Sequence, residues 1–149
     1  MYLSPNTHPQ ARVDELIAMY GADQASAAYL LCDRHDPSAV AYQIVDADMS
    51  VATITYAELR AESERFAAAL RARGIRPGDR VATLMGKGRA LLVALVGIWR
   101  LGAVHLPLFT AFAPAAIAMR LNASGARAVI CDQSQQSKLH GNEDMPAVA

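Results

Sequence analysis

Residues Gly78 to Asp132 read GDRVATLMGKGRALLVALVGIWRLGAVHLPLFTAFAPAAIAMRLNASGARAVICD, and the alternation of short and long apolar runs within them decides the fold. Val81 to Met85 is short, tolerant of β structure and preceded by a Pro77-Gly78-Asp79 turn, which predicts a strand. Gly88 to Leu101 is long enough for a helix and is ended by Gly102. Ala103 to Leu106 predicts a second strand stopped at Pro107, Pro114 to Ser124 a second helix ended by Gly125, and Arg127 to Cys131 a third strand. Strand–helix–strand–helix–strand with short joints implies parallel strands, right-handed crossovers and helices over the sheet. The strands are continuous apolar runs, as required when both faces are covered. The expected fold is α/β: a parallel three-strand βαβαβ core with helices on both faces, forming part of a larger α/β domain.

Working outward, residues 39–55 read as a β-hairpin with its turn at Asp46 to Ser50. The helix that follows has complete end signals. Thr55 with Glu58 forms a capping box, and Ile54 with Leu59 occupies the positions of a hydrophobic staple. Tyr56, Leu59, Phe66 and Leu70 share one face; Gly74 is placed for a left-handed cap that lets Ile75 touch Leu70. Before the hairpin, Val13, Leu16, Ile17 and Tyr20 mark an amphipathic helix, and Asp23 can cap a second one through Ala25, Ala28, Leu31 and Cys32. Both are expected to serve packing. The first ten residues are expected to be loose, and the tail from Ser134 to fray. The division that results is a helical lead-in over 1–36, a partial domain over 37–133 and a tail over 134–149.

Bulk properties narrow the function classes. The 149 residues allow one domain with a real core. Lys+Arg and Asp+Glu each total 14, so no basic surplus favours nucleic acid or an anionic membrane. Residues 90–109 have the length of a membrane span, but Arg100 stands at the centre and would cost several kcal/mol there. A buried helix running into a buried strand accounts for the same residues without that cost. Cys32 and Cys131 lie far apart with no CxxC, and residues 1–10 lack a secretory pattern, so a cytoplasmic setting is expected.

Ile54-Thr55-Tyr56-Ala57-Glu58-Leu59-Arg60 and, 38 residues after its end, Ile98-Trp99-Arg100-Leu101-Gly102-Ala103-Val104-His105-Leu106-Pro107-Leu108 resemble two successive signatures of the adenylate-forming superfamily. That superfamily includes acyl-CoA synthetases, peptide-synthetase adenylation domains and luciferases. From Leu108 to Phe112, through Arg120-Leu121-Asn122, to Ile130-Cys131-Asp132 the wording is more similar to acetyl- and medium-chain acyl-CoA synthetases; peptide-synthetase domains usually carry an acidic residue where Phe109 stands.

The resemblance implies a reaction in which a carboxylic acid and ATP, with Mg, give an acyl-adenylate and pyrophosphate, and the CoA thiol then displaces AMP. It also implies machinery this stretch does not show: a Ser/Thr/Gly-rich phosphate loop ending in lysine, a ribose-binding aspartate and a catalytic lysine. The chain is therefore expected to be an N-terminal segment of such a ligase, inactive alone, with no catalytic residue and no metal ligand of its own. Weak CoA binding is the only ligand interaction expected. Open strand edges would call for a protein partner that completes the sheet. A small coenzyme- or nucleotide-binding module and an interaction fragment are the alternative readings.

The resemblance places Phe109, Thr110 and Ala111 beside the coenzyme's nucleotide, past a strand's C-terminal end where open α/β sheets hold ligands. The competing reading is that Phe109 and Phe112 pack the strand–helix joint. In the family, basic residues soon after the third strand often meet the coenzyme's phosphate; here Lys138 is the one cation in that segment. Met85 to Arg89 is the nearest local substitute for a phosphate loop. A Walker pattern would need glycine at Val81 and Ser/Thr at Gly88, so a solvated turn with two cations is the simpler reading. His8, His35, His105 and His140 form no ligand spacing. His105 is expected to be a satisfied core or cleft histidine, Asp33, His35 and Asp36 to terminate a helix, and Cys131 to be inert.

Overall fold

The computed structural model describes residues 8–21 and 25–141, together with the backbone of 147–148. Asp23 and the first seven residues, for which a cap and a loose segment were expected, lie outside the described residues. The elements are α1 (Pro9–Tyr20), a π-helical turn Tyr29–Asp33, β1 (Val40–Val45), β2 (Val51–Thr55) and α2 (Tyr56–Ala72). They continue as β3 (Arg80–Leu84), α3 (Arg89–Arg100), β4 (Val104–Pro107), α4 (Pro114–Ser124), β5 (Ala128–Cys131), a 3-10 segment Gln133–Leu139 and β6 (Ala147–Val148).

β1 and β2 pair antiparallel with Val45 opposite Val51 and an irregularity between Val40 and Tyr42. At the turn, the Met49 N–H donates to the Asp46 carbonyl (2.9 Å) and Met49 takes φ 65°. α2 begins on the expected capping box: Thr55 Oγ1 accepts from the Glu58 N–H at 3.2 Å, and the Glu58 carboxylate accepts from the Thr55 N–H at 2.8 Å. It ends in a Schellman arrangement, with the Gly74 N–H on the Arg71 carbonyl (3.0 Å) and the Ile75 N–H on that of Leu70 (3.1 Å). Gly74 takes φ +86°, which explains a glycine there.

The main sheet is parallel throughout in the order β4-β3-β5-β6, so β3 is central and pairs with both β4 and β5. One face meets α3, with α2 outside it: Ala94, Ile98 and Leu101 pack with Val81, Ala128, Ile130, Ala67 and Leu70. The other face meets α4: Ile117 and Leu121 pack with Ala82, Leu84, Val129 and Cys131. Alternate residues of β3 and β5 thus enter opposite clusters, and both faces are apolar. Arg80 completes the joint after α4, its guanidinium donating to the carbonyls of Ser124 and Gly125 (2.8 Å each).

Three regions depart from the sequence reading. α1 takes in Pro9 and Gln10, expected to belong to the loose segment, and buries none of its side chains; Val13, Leu16 and Ile17 stay exposed, so it does not act as a packing element. The second helical stretch does pack, through Ala28 and Cys32 against Ile54, Leu59 and Val96, but closes as a π turn. The tail expected to fray from Ser134 carries the 3-10 segment, with Leu139 buried against the α4 face, and β6 pairs parallel to β5 at Ala147 and Val148. A two-residue strand has no periodicity to read. No helix among the described residues is long and apolar enough to cross a membrane.

Candidate functional site

The C-terminal ends of β3, β4 and β5 lie side by side, and three loops leave from them. The Leu108 N–H donates to the Thr83 carbonyl at 2.9 Å, carrying the β3–β4 ladder one step further. Leu108 itself is buried, and the chain then turns outward. Phe109, Thr110, Ala111 and Phe112 form a single turn, closed by the Phe112 N–H on the Phe109 carbonyl at 3.0 Å. Phe112 packs against the α4 cluster beneath the Arg120 guanidinium, 4.2 Å from its ring centre. Phe109 lies T-shaped to that ring, centroids 5.2 Å apart, and remains 68% exposed. The packing explanation therefore holds for Phe112 and fails for Phe109, most of which stays in solvent.

Lys138 comes to this turn from the 3-10 segment, its ammonium donating to the Thr110 carbonyl. The three residues singled out from the sequence are thus brought together, and the cation 28 residues away joins them. The Arg120–Phe112 contact was not foreseen. Its one sequence signal is the spacing that sets an arginine two turns into a helix after an aromatic loop.

The loop after β3 is differently equipped. The Gly86 N–H donates to Asp132 Oδ2 at 2.6 Å, tying the ends of β3 and β5 together. Arg89 is clamped by Glu62, with Nε to Oε2 at 3.2 Å and a second contact from Nη2, while Glu58 lies 3.7 Å away. The side-chain hydrogen bond from Arg89, against some desolvation, holds the Glu62 carboxyl below its ordinary range. Two carboxylates on the arginine and a third on the loop N–H make this a poor cradle for phosphate. Above β5, a cleft of about 450 Å³ opens between α2, α3 and the strand end, with Phe66, Met85, Val93 and Ile130 in its walls and Glu62 and Asp132 at its polar margin.

The remaining chemical candidates are committed to structure. His105 Nε2 meets Thr83 Oγ1 at 2.8 Å and its ring stands T-shaped to Trp99; burial pushes its pKa down, which disfavours the charged imidazolium. Burial, then the Asp132 charge, pushes the Cys131 thiol up, away from thiolate chemistry. Asp36 accepts from the Ser38 N–H (2.9 Å), and His35 stacks on Tyr56 at 4.3 Å. Asp33 does more than end a helix, because both its oxygens accept from Arg100 (2.6 and 2.7 Å). Burial works to raise the Asp33 carboxyl, but the hydrogen bonds and charge of Arg100, with Arg60 beyond, outweigh it and hold the pKa below the usual range. Among the described residues no group of three His, Cys, Asp or Glu side chains could hold a metal ion.

A three-layer parallel α/β piece, with loops leaving the C-terminal ends of its strands, places the fold in the class of open α/β sheets. Comparison with known proteins narrows that class. The model of the AMP-binding enzyme family matches residues 34–148, and the chain belongs to that family. The acetyl-coenzyme A synthetase of Chlorobaculum tepidum is 45% identical over 78 residues, which are 52% of this chain and 12% of that protein. Acetyl-coenzyme A synthetase 2 of Debaryomyces hansenii is 31% identical over 125 residues, covering 80% of this chain and 18% of that one. A Brucella canis acyl-CoA synthetase structure superposes with a TM-score of 0.83 at 33% identity, over 91% of this chain and 26% of the other. The chain thus spans under a third of the length of the relatives it matches, and it corresponds to part of an AMP-forming acyl-CoA ligase fold.

Proposed function

We propose that this chain supplies the coenzyme-side wall of an AMP-forming acid–CoA ligase, and that it does not carry the reactive groups of the adenylation step. The observation that carries the reading is the Phe109–Thr110–Ala111 turn, with a largely exposed phenyl ring and the Lys138 ammonium held on its backbone. An exposed phenyl ring suits stacking by the adenine of CoA, a contact typically worth about 1–3 kcal/mol. The ammonium held beside it on the Thr110 carbonyl has donors left over for the phosphate on the coenzyme's ribose. ATP and its metal fit this chain less well, since the Gly86 N–H and the Arg89 guanidinium are already engaged by carboxylates. The cleft above β5 and the outer strands β4 and β6 are where further elements of such a domain would pack, from the remainder of a longer chain or from a partner. Two unbridged, buried cysteines accord with a cytoplasmic setting.

Calorimetric titration of the purified chain tests this. CoA is expected to bind weakly, on the order of millimolar, and more tightly than 3′-dephospho-CoA. Phe109→Ala should weaken CoA about tenfold, and Lys138→Ala should abolish the preference for CoA over its dephospho form. Absence of CoA binding, or binding indifferent to both substitutions, would remove the assignment.

A further inference from the structure

The contact between Arg100 and Asp33 joins parts of the chain 67 residues apart and belongs to no part of the coenzyme-side site. Both side chains are nearly enclosed, at 16% and 15% exposed. The guanidinium faces Asp33 with two hydrogen bonds, Ser63 Oγ on α2 at 3.3 Å and Glu64 Oε1 at 3.8 Å. Three elements therefore meet on one side chain: the π-helical turn, α2 and the last turn of α3.

What else fastens the lead-in decides how much depends on this pair. Among the described residues before the hairpin, only Ala28 and Cys32 are buried, and both are small. His35 adds a stack on Tyr56 and Cys32 a long contact from Sγ to the Tyr56 carbonyl (3.7 Å). α1 buries nothing and is held by Arg34, whose guanidinium donates to the Tyr20 hydroxyl at 2.8 Å. The apolar part of this fastening rests on two small side chains, Ala28 and Cys32, over Ile54, Leu59 and Val96, and the Asp33–Arg100 pair is the charged contact beside it. The π turn matters because an added residue per turn rotates the side chains that follow relative to α-helical register, and single π turns recur at functional positions.

We propose that the π-helical turn is a latch: it presents Asp33 to Arg100, and opening of that ion pair releases residues 25–36 from α2 and α3 while the main sheet stays folded. A buried pair suits this role. Its attraction is offset in large part by desolvation, so closed and open states remain close in free energy, yet removing one partner leaves a buried charge that forces the open state. Once open, the face formed by Ile54, Leu59 and Val96 loses its cover.

Hydrogen–deuterium exchange read by mass spectrometry on the intact protein tests the latch. Asp33→Asn and, from the opposite side, Arg100→Met should each speed exchange of amides in residues 27–34 by about tenfold or more. Exchange in residues 80–84 and 128–131 should stay within about twofold of the parent. If either variant leaves 27–34 unchanged, or if the sheet amides accelerate in step with them, the pair is not a latch and the proposal fails.

Discussion

Substituting leucine for Gly97 is expected to cost about 3 kcal/mol or more, and to show as a large loss in the urea midpoint of the purified chain. Gly97 lies in α3 where that helix crosses α2, and its backbone is ordinary helix. A Cβ built there would sit 2.7 Å from Phe66 Cδ1 and 3.1 Å from the Ser63 carbonyl oxygen. The glycine is required by the closeness of two helices and not by an unusual φ. Ser63 is fully buried at the same crossing and returns its hydroxyl to the Arg60 carbonyl at 3.0 Å, so α2 has no slack on that side. Alanine also forces the Phe66 ring to move and the Ser63 carbonyl to give by a few tenths of an ångström, but it regains about 1 kcal/mol of helix propensity, so Gly97→Ala should cost less than leucine. If Gly97→Leu unfolds at the parent's midpoint, α2 and α3 do not touch as described.

Ile98→Ala and Leu121→Ala are each expected to cost about 2–5 kcal/mol, measured the same way. Both side chains are fully buried, Ile98 on the α3 face of the sheet and Leu121 on the α4 face. Truncating either leaves a cavity that a close-packed layer closes only in part. Met119, on α4 but 60% exposed, is the control, and Met119→Ala should fall within about 0.5 kcal/mol of the parent. Loss at one face with neutrality at the other would mean that one side of the sheet is solvated.

The two-faced core was legible in the sequence because Val81 to Leu84 and Ala128 to Cys131 are apolar without alternation, which only a doubly covered strand sustains. The ends of α2 and α4 were legible for a different reason: caps are local, and Thr55, Glu58, Gly74 and Gly125 act within a few residues of themselves. Arg100 shows the limit. In sequence it reads as a charge inside an apolar helix, which argues against a membrane but names no partner. The carboxylate that neutralises it stands before the hairpin, and nothing local links the two. Gly97 likewise reads as punctuation, since the crossing that demands it depends on how α2 lies. In the turn after β4, Phe109, Thr110 and Ala111 were reached through family resemblance, and the arrival of Lys138 at Thr110 depends on a 3-10 segment with no periodic signal.

Exchange of labelled pyrophosphate into ATP, driven by a carboxylic acid, reports adenylate formation directly and is the sharpest test of whether this chain is scaffold without the reactive groups. With the purified 149-residue polypeptide and acids from acetate to medium-chain lengths, the expected result is no acid-dependent exchange above background. Acid-dependent exchange that co-purifies with this chain and disappears when the chain is removed would contradict the account, because it would place phosphate-handling groups among residues here assigned to scaffold.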